Sequence, residues 1–157
     1  MISNPHAVTD PETFTVRRTI MIAAPLEKVW TAVTDPEHIS RWFGRTVLVG
    51  QGAGAHGTIT WPGEGAVPLR VEAFDPPRNV TYRWCNDDAR PAPDTVDGAP
   101  STIFTFTLEP MASGTRLTVE ETGFELTSDP AGNLESHRQG WDGELDKLVI
   151  LLEGGPQ

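Results

Sequence analysis

Two ionisable residues, a group of aromatic rings and one thiol are the places where this chain could do chemistry. His137 stands four residues before Trp141, so the two share the apolar face of any helix that carries them. An imidazole there could serve as a general acid or base, could hold the polar end of a bound molecule, or could be satisfied by a backbone carbonyl. Glu121 follows Leu117 and Val119 at alternate positions, so a strand turns its carboxylate toward the core. Buried, that group needs a partner or access to the mouth of a cavity. Arg70 and Glu72 form a second candidate inward pair, unless a bulge in their strand turns them outward. The rings are Trp42, Phe43, Trp61, Tyr82, Trp84, Phe104, Phe106 and Trp141. Rings with few polar atoms among them suit a concave site for a small apolar molecule. They equally suit a core in which they touch one another.

Other chemistries lack their signatures. His6, His38, His56 and His137 are scattered without paired metal-ligand spacing. Residues 50–57 (GQGAGAHG) lack the Gly-Lys-Ser/Thr ending of a phosphate loop, and no long helix follows. No Gly-x-Ser-x-Gly elbow occurs. Cys85, near a strand end, reads as a small core residue. As the single cysteine it forms no internal disulfide, which suits a reducing compartment. His137 and Glu121 remain as catalytic candidates, without a complete catalytic set around them.

The elements that must position these residues follow from periodicity. Phe14, Val16, Ile20 and Ile22 alternate with polar neighbours over 13–22, the pattern of a half-buried strand, with Arg18 as its one break. Pro25 suits a first helical position, with Glu27 favourable in the first turn, and the helix runs through Val29, Trp30 and Val33. Thr34-Asp35-Pro36-Glu37 starts a second short helix that reaches Trp42-Phe43 and stops at Gly44. Strand patterns then recur at 46–49, 58–61, 67–74, 79–85, 102–108 and 115–122. Their short turns imply an antiparallel meander. Residues 86–100 (NDDARPAPDTVDGAP) carry three prolines and a net charge of −3, so they read as a long loop, either a functional lid or merely mobile.

Ser128-Asp129-Pro130 is the clearest start signal, with Asp129 as cap. Leu134, Trp141, Leu145, Leu148 and Leu152 then recur at helical spacing, widened by Val149. Twenty-odd residues make a rod of roughly 30–35 Å. A domain of this size has a radius of gyration of about 15 Å, so the rod crosses its whole width against the sheet. Gly140 and Gly143 inside it each cost about 1 kcal/mol relative to alanine. They mark either a close approach of a ligand or backbone, or neutral drift.

Twelve basic against 22 acidic residues give 157 residues a net charge of −10. Such a surface repels phosphate backbones, which argues against nucleic acid and anionic membranes as partners. The 38% hydrophobic content supports one packed domain. No apolar run approaches the roughly 18 residues of a membrane span, and residues 1–10 show no leader pattern. A cytoplasmic protein is expected.

Several motifs carry a resemblance. Ala23-Ala24-Pro25 to Val29-Trp30, Thr34-Asp35-Pro36-Glu37 and Trp42-Phe43 resemble the amino-terminal signature of the SRPBCC (START and birch-pollen-allergen-like) superfamily. The nearest branch is that named after the activator of the heat-shock protein 90 ATPase. Asp75-Pro76-Pro77-Arg78, Tyr82-Arg83-Trp84, Gly114-Thr115-Arg116-Leu117, Gly123-Phe124, and His137 with Gly140-Trp141 also match that branch. The loop 86–100 goes beyond its pattern. The resemblance implies an α+β helix-grip fold: a curved antiparallel sheet of six to seven strands around a long C-terminal helix, with two short helices after the first strand. A flexible lead-in is expected over 1–12, the domain over 13–153 and a tail over 154–157. Members of the superfamily bind lipids, polyketides and hormones, and some are cyclases, dehydratases or hydrolases. The expected function is binding of a small hydrophobic or aromatic ligand in a cavity between sheet and helix. Its walls are expected among Trp42, Phe43, Trp61, Tyr82, Trp84, Phe104, Phe106, His137 and Trp141. Catalysis in the same cavity and a co-chaperone-type interaction are the alternatives, with a homodimer or a chaperone partner left open. No cofactor or metal is expected.

Overall fold

Alternation of apolar and polar side chains drives most of the chain into one sheet. A computed structural model describes residues 4–87 and 91–154, so Asp88 and Arg90 of the long loop and the tail residues 155–157 lie outside the described residues. The strands are β1 (Val8–Asp10), β2 (Thr15–Ile22), β3 (Arg45–Val49), β4 (His56–Thr60), β5 (Val67–Asp75), β6 (Asn79–Trp84), β7 (Thr102–Met111) and β8 (Gly114–Thr122). All neighbours are antiparallel, in the order β1-β2-β8-β7-β6-β5-β4-β3. Two short helices, α1 (Leu26–Thr34) and α2 (Pro36–Ile39), separate β2 from β3, and α3 (Pro130–Leu152) closes the domain. This is the expected α+β helix-grip arrangement.

The inner face of the sheet is written in alternate residues. Val80, Tyr82 and Trp84 on β6, Phe104, Phe106 and Leu108 on β7, and Leu117 and Val119 on β8 are all buried. Against them α3 presents Leu134, His137, Trp141, Leu145, Leu148 and Leu152. Its start follows the sequence signal: the Asp129 side chain accepts a hydrogen bond from the Gly132 N–H at 3.2 Å, and Pro130 occupies the first turn.

Two local expectations change, and one open alternative is resolved. The lead-in contributes an eighth strand, since residues 8–10 pair with 15–17 of β2, and the Asn4 side chain bonds the backbone of Met21 in both directions. The second helix ends at Ile39 rather than at Phe43. Consecutive residues on a helix point about 100° apart, which would leave one of Trp42 and Phe43 outside. Leaving the helix lets both rings enter the core, stacked at 4.9 Å. Arg70 and Glu72 face outward, because Leu69 and Val71 take the inner face and the register slips between Val71 and Ala73. Glu72 there accepts from both Arg70 and Arg83, and Arg70 also reaches Asp97.

Arg18, the break in the β2 pattern, keeps its inward phase. Its side chain is 2% exposed and every nitrogen is used: Nε donates to the Pro5 carbonyl (2.8 Å), Nη1 to the carbonyls of Trp141 and Asp142 (3.3 and 3.0 Å), and Nη2 to Asp146 (2.8 Å). The guanidinium thereby ties β2 to the middle of α3. Arg17, next to it, points outward and meets only the half-exposed Glu120 at 3.5 Å. Arg18→Met is therefore expected to lower unfolding free energy by about 2–3 kcal/mol, the scale of lost charged hydrogen bonds in a buried setting. Arg17→Met should cost under about 1 kcal/mol; urea denaturation of both variants checks the contrast.

Candidate functional site

The centre of the site is Glu121. Strand alternation does turn it inward, and its side chain is fully buried. In register it lies opposite Phe104 on β7, with Thr102 and Trp84 one step further along. Four donors converge on it. Oε1 accepts from His137 Nδ1 and Trp141 Nε1, both at 2.9 Å. Oε2 accepts from Trp84 Nε1 at 2.8 Å and from the Thr102 hydroxyl. Burial alone pushes this carboxyl up; the charge of His137 and the hydrogen bonds from His137, Thr102 and Trp84 outweigh it, leaving Glu121 below the ordinary 4.5.

His137 completes the arrangement. Its Nε2 lies 2.9 Å from the carbonyl oxygen of Asn86. A carbonyl only accepts, so Nε2 carries a proton, and Nδ1 facing an ionised carboxylate carries one too. The pair is an imidazolium and a carboxylate. Phe124, in the turn before α3, packs edge-on against the ring at 5.0 Å.

Beside this pair a cavity of about 140 Å³ opens between α3 and the sheet. It is lined by Phe43, Trp84, Asn86, Ser136, His137, Gly140, Trp141 and Glu144. Phe43, Trp84 and Trp141 face one another with ring planes 28–38° apart and centroids 5.4–6.2 Å apart. At the rim, Trp61 packs edge-on against Phe43 and donates from Nε1 to Glu144 at 3.3 Å. A wider groove of about 690 Å³ adjoins it at Asn86, between residues 64–68 and 91–94.

Of the expected walls, Phe43, Trp84, His137 and Trp141 line the cavity and Trp61 the groove. Trp42, Tyr82, Phe104 and Phe106 do not. They surround a gap of only about 10 Å³ deeper in the core, too small for a ligand. Trp42 Nε1 and the Tyr82 hydroxyl turn to the carbonyls of Ala32 and Val33, and burial pushes the Tyr82 phenol up. Cys85 is buried with its thiol raised by desolvation, and donates to the Val96 carbonyl at 3.3 Å. Among the described residues no group of three or more metal-binding side chains converges, and no helix is long and apolar enough to cross a membrane.

Sequence reasoning missed Asn86, Ser136, Glu144 and the role of Thr102. Ser136, Gly140 and Glu144 recur every fourth residue, one position before His137, Trp141 and Leu145. This is the helix row next to the buried one, and it could have been found from that spacing. Gly140, for which close approach and neutral drift were both open, has nothing within 4 Å of where a Cβ would stand, so the position faces open space.

Because Glu121 titrates below 4.5 when folded, it contributes stability that is complete above that pH. The contribution is lost as pH falls through its folded value. Urea titrations between about pH 3 and pH 7 should show this loss. Glu121→Gln should be destabilised by about 3–5 kcal/mol at neutral pH, as for a broken buried pair, with a shallower acid-side loss.

Against known proteins, the family model for activator of Hsp90 ATPase homolog 1-like protein matches residues 23–153, a span that contains every cavity residue. None of the curated proteins matches the chain. Protein MLL2253 from Mesorhizobium loti is similar in structure at 28% identity and a TM-score of 0.73, over 91% of this chain and 99% of that one. DynU16, a protein of the dynemicin biosynthetic locus, is 25% identical with a TM-score of 0.71, over 90% of this chain and 48% of its own. The Aha1 dimer from Colwellia psychrerythraea shares the fold at 22% identity and a TM-score of 0.69, covered over 91% of this chain and 98% of that one. The chain belongs to the activator of Hsp90 ATPase homolog 1-like family.

Proposed function

We propose that the protein binds a small hydrophobic or aromatic ligand in the cavity between the sheet and α3. The observation that carries this reading is the hollow of about 140 Å³ walled by Phe43, Trp84 and Trp141. Its ring faces, inclined 28–38° to one another, offer an apolar wall to a flat molecule. An apolar cavity of about this volume is large enough for one benzene-sized ring. A ligand that gives up about 150 Å² of apolar surface gains on the order of 4 kcal/mol, and lost freedom on binding offsets part of that. An affinity in the millimolar range follows. Catalysis in the same cavity, as a cyclase, dehydratase or hydrolase, is the second reading. It draws on the Glu121–His137 pair and needs a substrate group where the Asn86 carbonyl now meets Nε2.

Indane, a small bicyclic hydrocarbon, is the probe for the first reading. Isothermal titration should detect its binding to the wild type. Gly140→Leu, whose side chain enters the hollow, should abolish that binding while the circular dichroism spectrum stays unchanged. Gly140→Ala should raise stability by about 1 kcal/mol in urea denaturation, the helix cost of glycine. A wild-type protein that takes up no indane at its solubility limit would refute the ligand reading.

A further inference from the structure

Residues 4–10 form a strap laid along the edge of β2 and over the middle of α3. Its grip is almost wholly polar. Asn4 exchanges two hydrogen bonds with the backbone of Met21, at 2.9 and 3.2 Å. The Pro5 carbonyl accepts from Arg18 Nε at 2.8 Å, and the Ala7 N–H donates to Asp142 at 2.6 Å. Val8, Thr9 and Asp10 then pair with Arg17, Val16 and Thr15. Of the strap's residues Ala7 alone is buried, so lifting the strap uncovers little apolar surface. The seat, by contrast, has directional needs. Without the strap, the buried Arg18 loses its carbonyl at Nε, Asp142 loses the Ala7 N–H, and β2 becomes an unpaired edge.

The turn that folds the strap back, residues 11–14, is strained. Phe14 has a φ of 50° and is the one non-glycine residue with positive φ among the described residues. An aromatic side chain is an outlier there, held only because its surroundings enforce it. We propose that two copies of this chain exchange their straps, each seating residues 4–10 on β2 and α3 of the other. A second copy is the partner that supplies the same contacts in the same order, and opening the turn lets both Phe14 residues return to extended backbone. The register permits it. Continued through the opened turn, it places Pro11 opposite Phe14 and Glu12 opposite Thr13 of the other copy, in one antiparallel ribbon with a two-fold axis at its centre. The two Glu12 side chains fall on opposite faces of that ribbon, so no like charges meet in it. The exchange lies away from the cavity and is independent of what the cavity binds.

The test refolds the protein from urea at high and at low concentration and weighs it by sedimentation. Each copy carries a net charge of −10, so physiological ionic strength is used to screen the repulsion. A dimer should form at high concentration and be absent at low. Phe14→Gly should weaken it by roughly tenfold or more, because glycine adopts the turn without strain. Phe14→Pro should strengthen it, because proline holds φ near −65° and forbids the turn. Both substitutions remove a ring that packs against the core, so a packing role alone would move them the same way. Cross-linking in the otherwise native chain keeps the test open should either variant misfold. Val8→Cys and Arg17→Cys variants, refolded together and oxidised, should join as a covalent heterodimer, while Val8→Cys with Glu64→Cys should not. Cys85, being buried, does not compete. A chain that stays monomeric at every concentration overturns the proposal, and so does a dimer that lacks the Val8–Arg17 cross-link.

Discussion

The structure turns on one carboxylate placed where water cannot reach it. Moving an isolated charge into a protein interior costs several kcal/mol even after relaxation, and Glu121 is tolerable only with all its acceptor sites filled. Those partners come from three separate stretches: Trp84 on β6, Thr102 on β7, and His137 with Trp141 on α3. The register of β6 against β7 and the rotation of α3 about its axis are therefore set by the same few atoms. Arg18 makes a second such tie from the opposite side of α3. Hydrophobic burial draws the helix to the sheet, and these two polar clusters decide where along the sheet it stops.

That division explains the shape of the site. Most of the rings are fully engaged in packing: Tyr82 stacks on Phe104 at 5.2 Å, and Phe106 meets Trp42 and Trp141 edge-on. The interior is thus close to solid. Space survives near the polar cluster, where the helix row Ser136, Gly140 and Glu144 carries short or half-exposed side chains. A cavity beside a buried ion pair differs from a greasy interior pocket, since one wall has fixed polarity and the rest stack.

Much of this was legible beforehand, for identifiable reasons. Long periodic stretches announce themselves, so the start of α3 at Asp129-Pro130, its buried stripe and the meander from β3 to β8 could be read directly. The inward phase of Glu121 and of His137 followed from counting. What counting could not supply was their union, because residues 16 apart in the chain meet only once sheet and helix pack. Arg18 illustrates the same limit: the alternation of β2 was visibly interrupted in chemistry, yet its partners on α3 lie more than 120 residues away. The early end of α2 depends on which rings compete for the interior. That competition is tertiary and leaves no local trace. The split of the aromatic residues into filled core and open cavity has the same origin, since volume is a property of the assembled whole.

The anchoring of Trp42 and Tyr82 has one more consequence. Their polar atoms close off the Ala32 and Val33 carbonyls at the end of α1, backbone groups that would otherwise seek solvent. The short helix is thereby riveted to the floor of the molecule, and enlarging the interior by sliding it would strand those oxygens. That flank of the interior is therefore held closed by backbone chemistry as well as by packing.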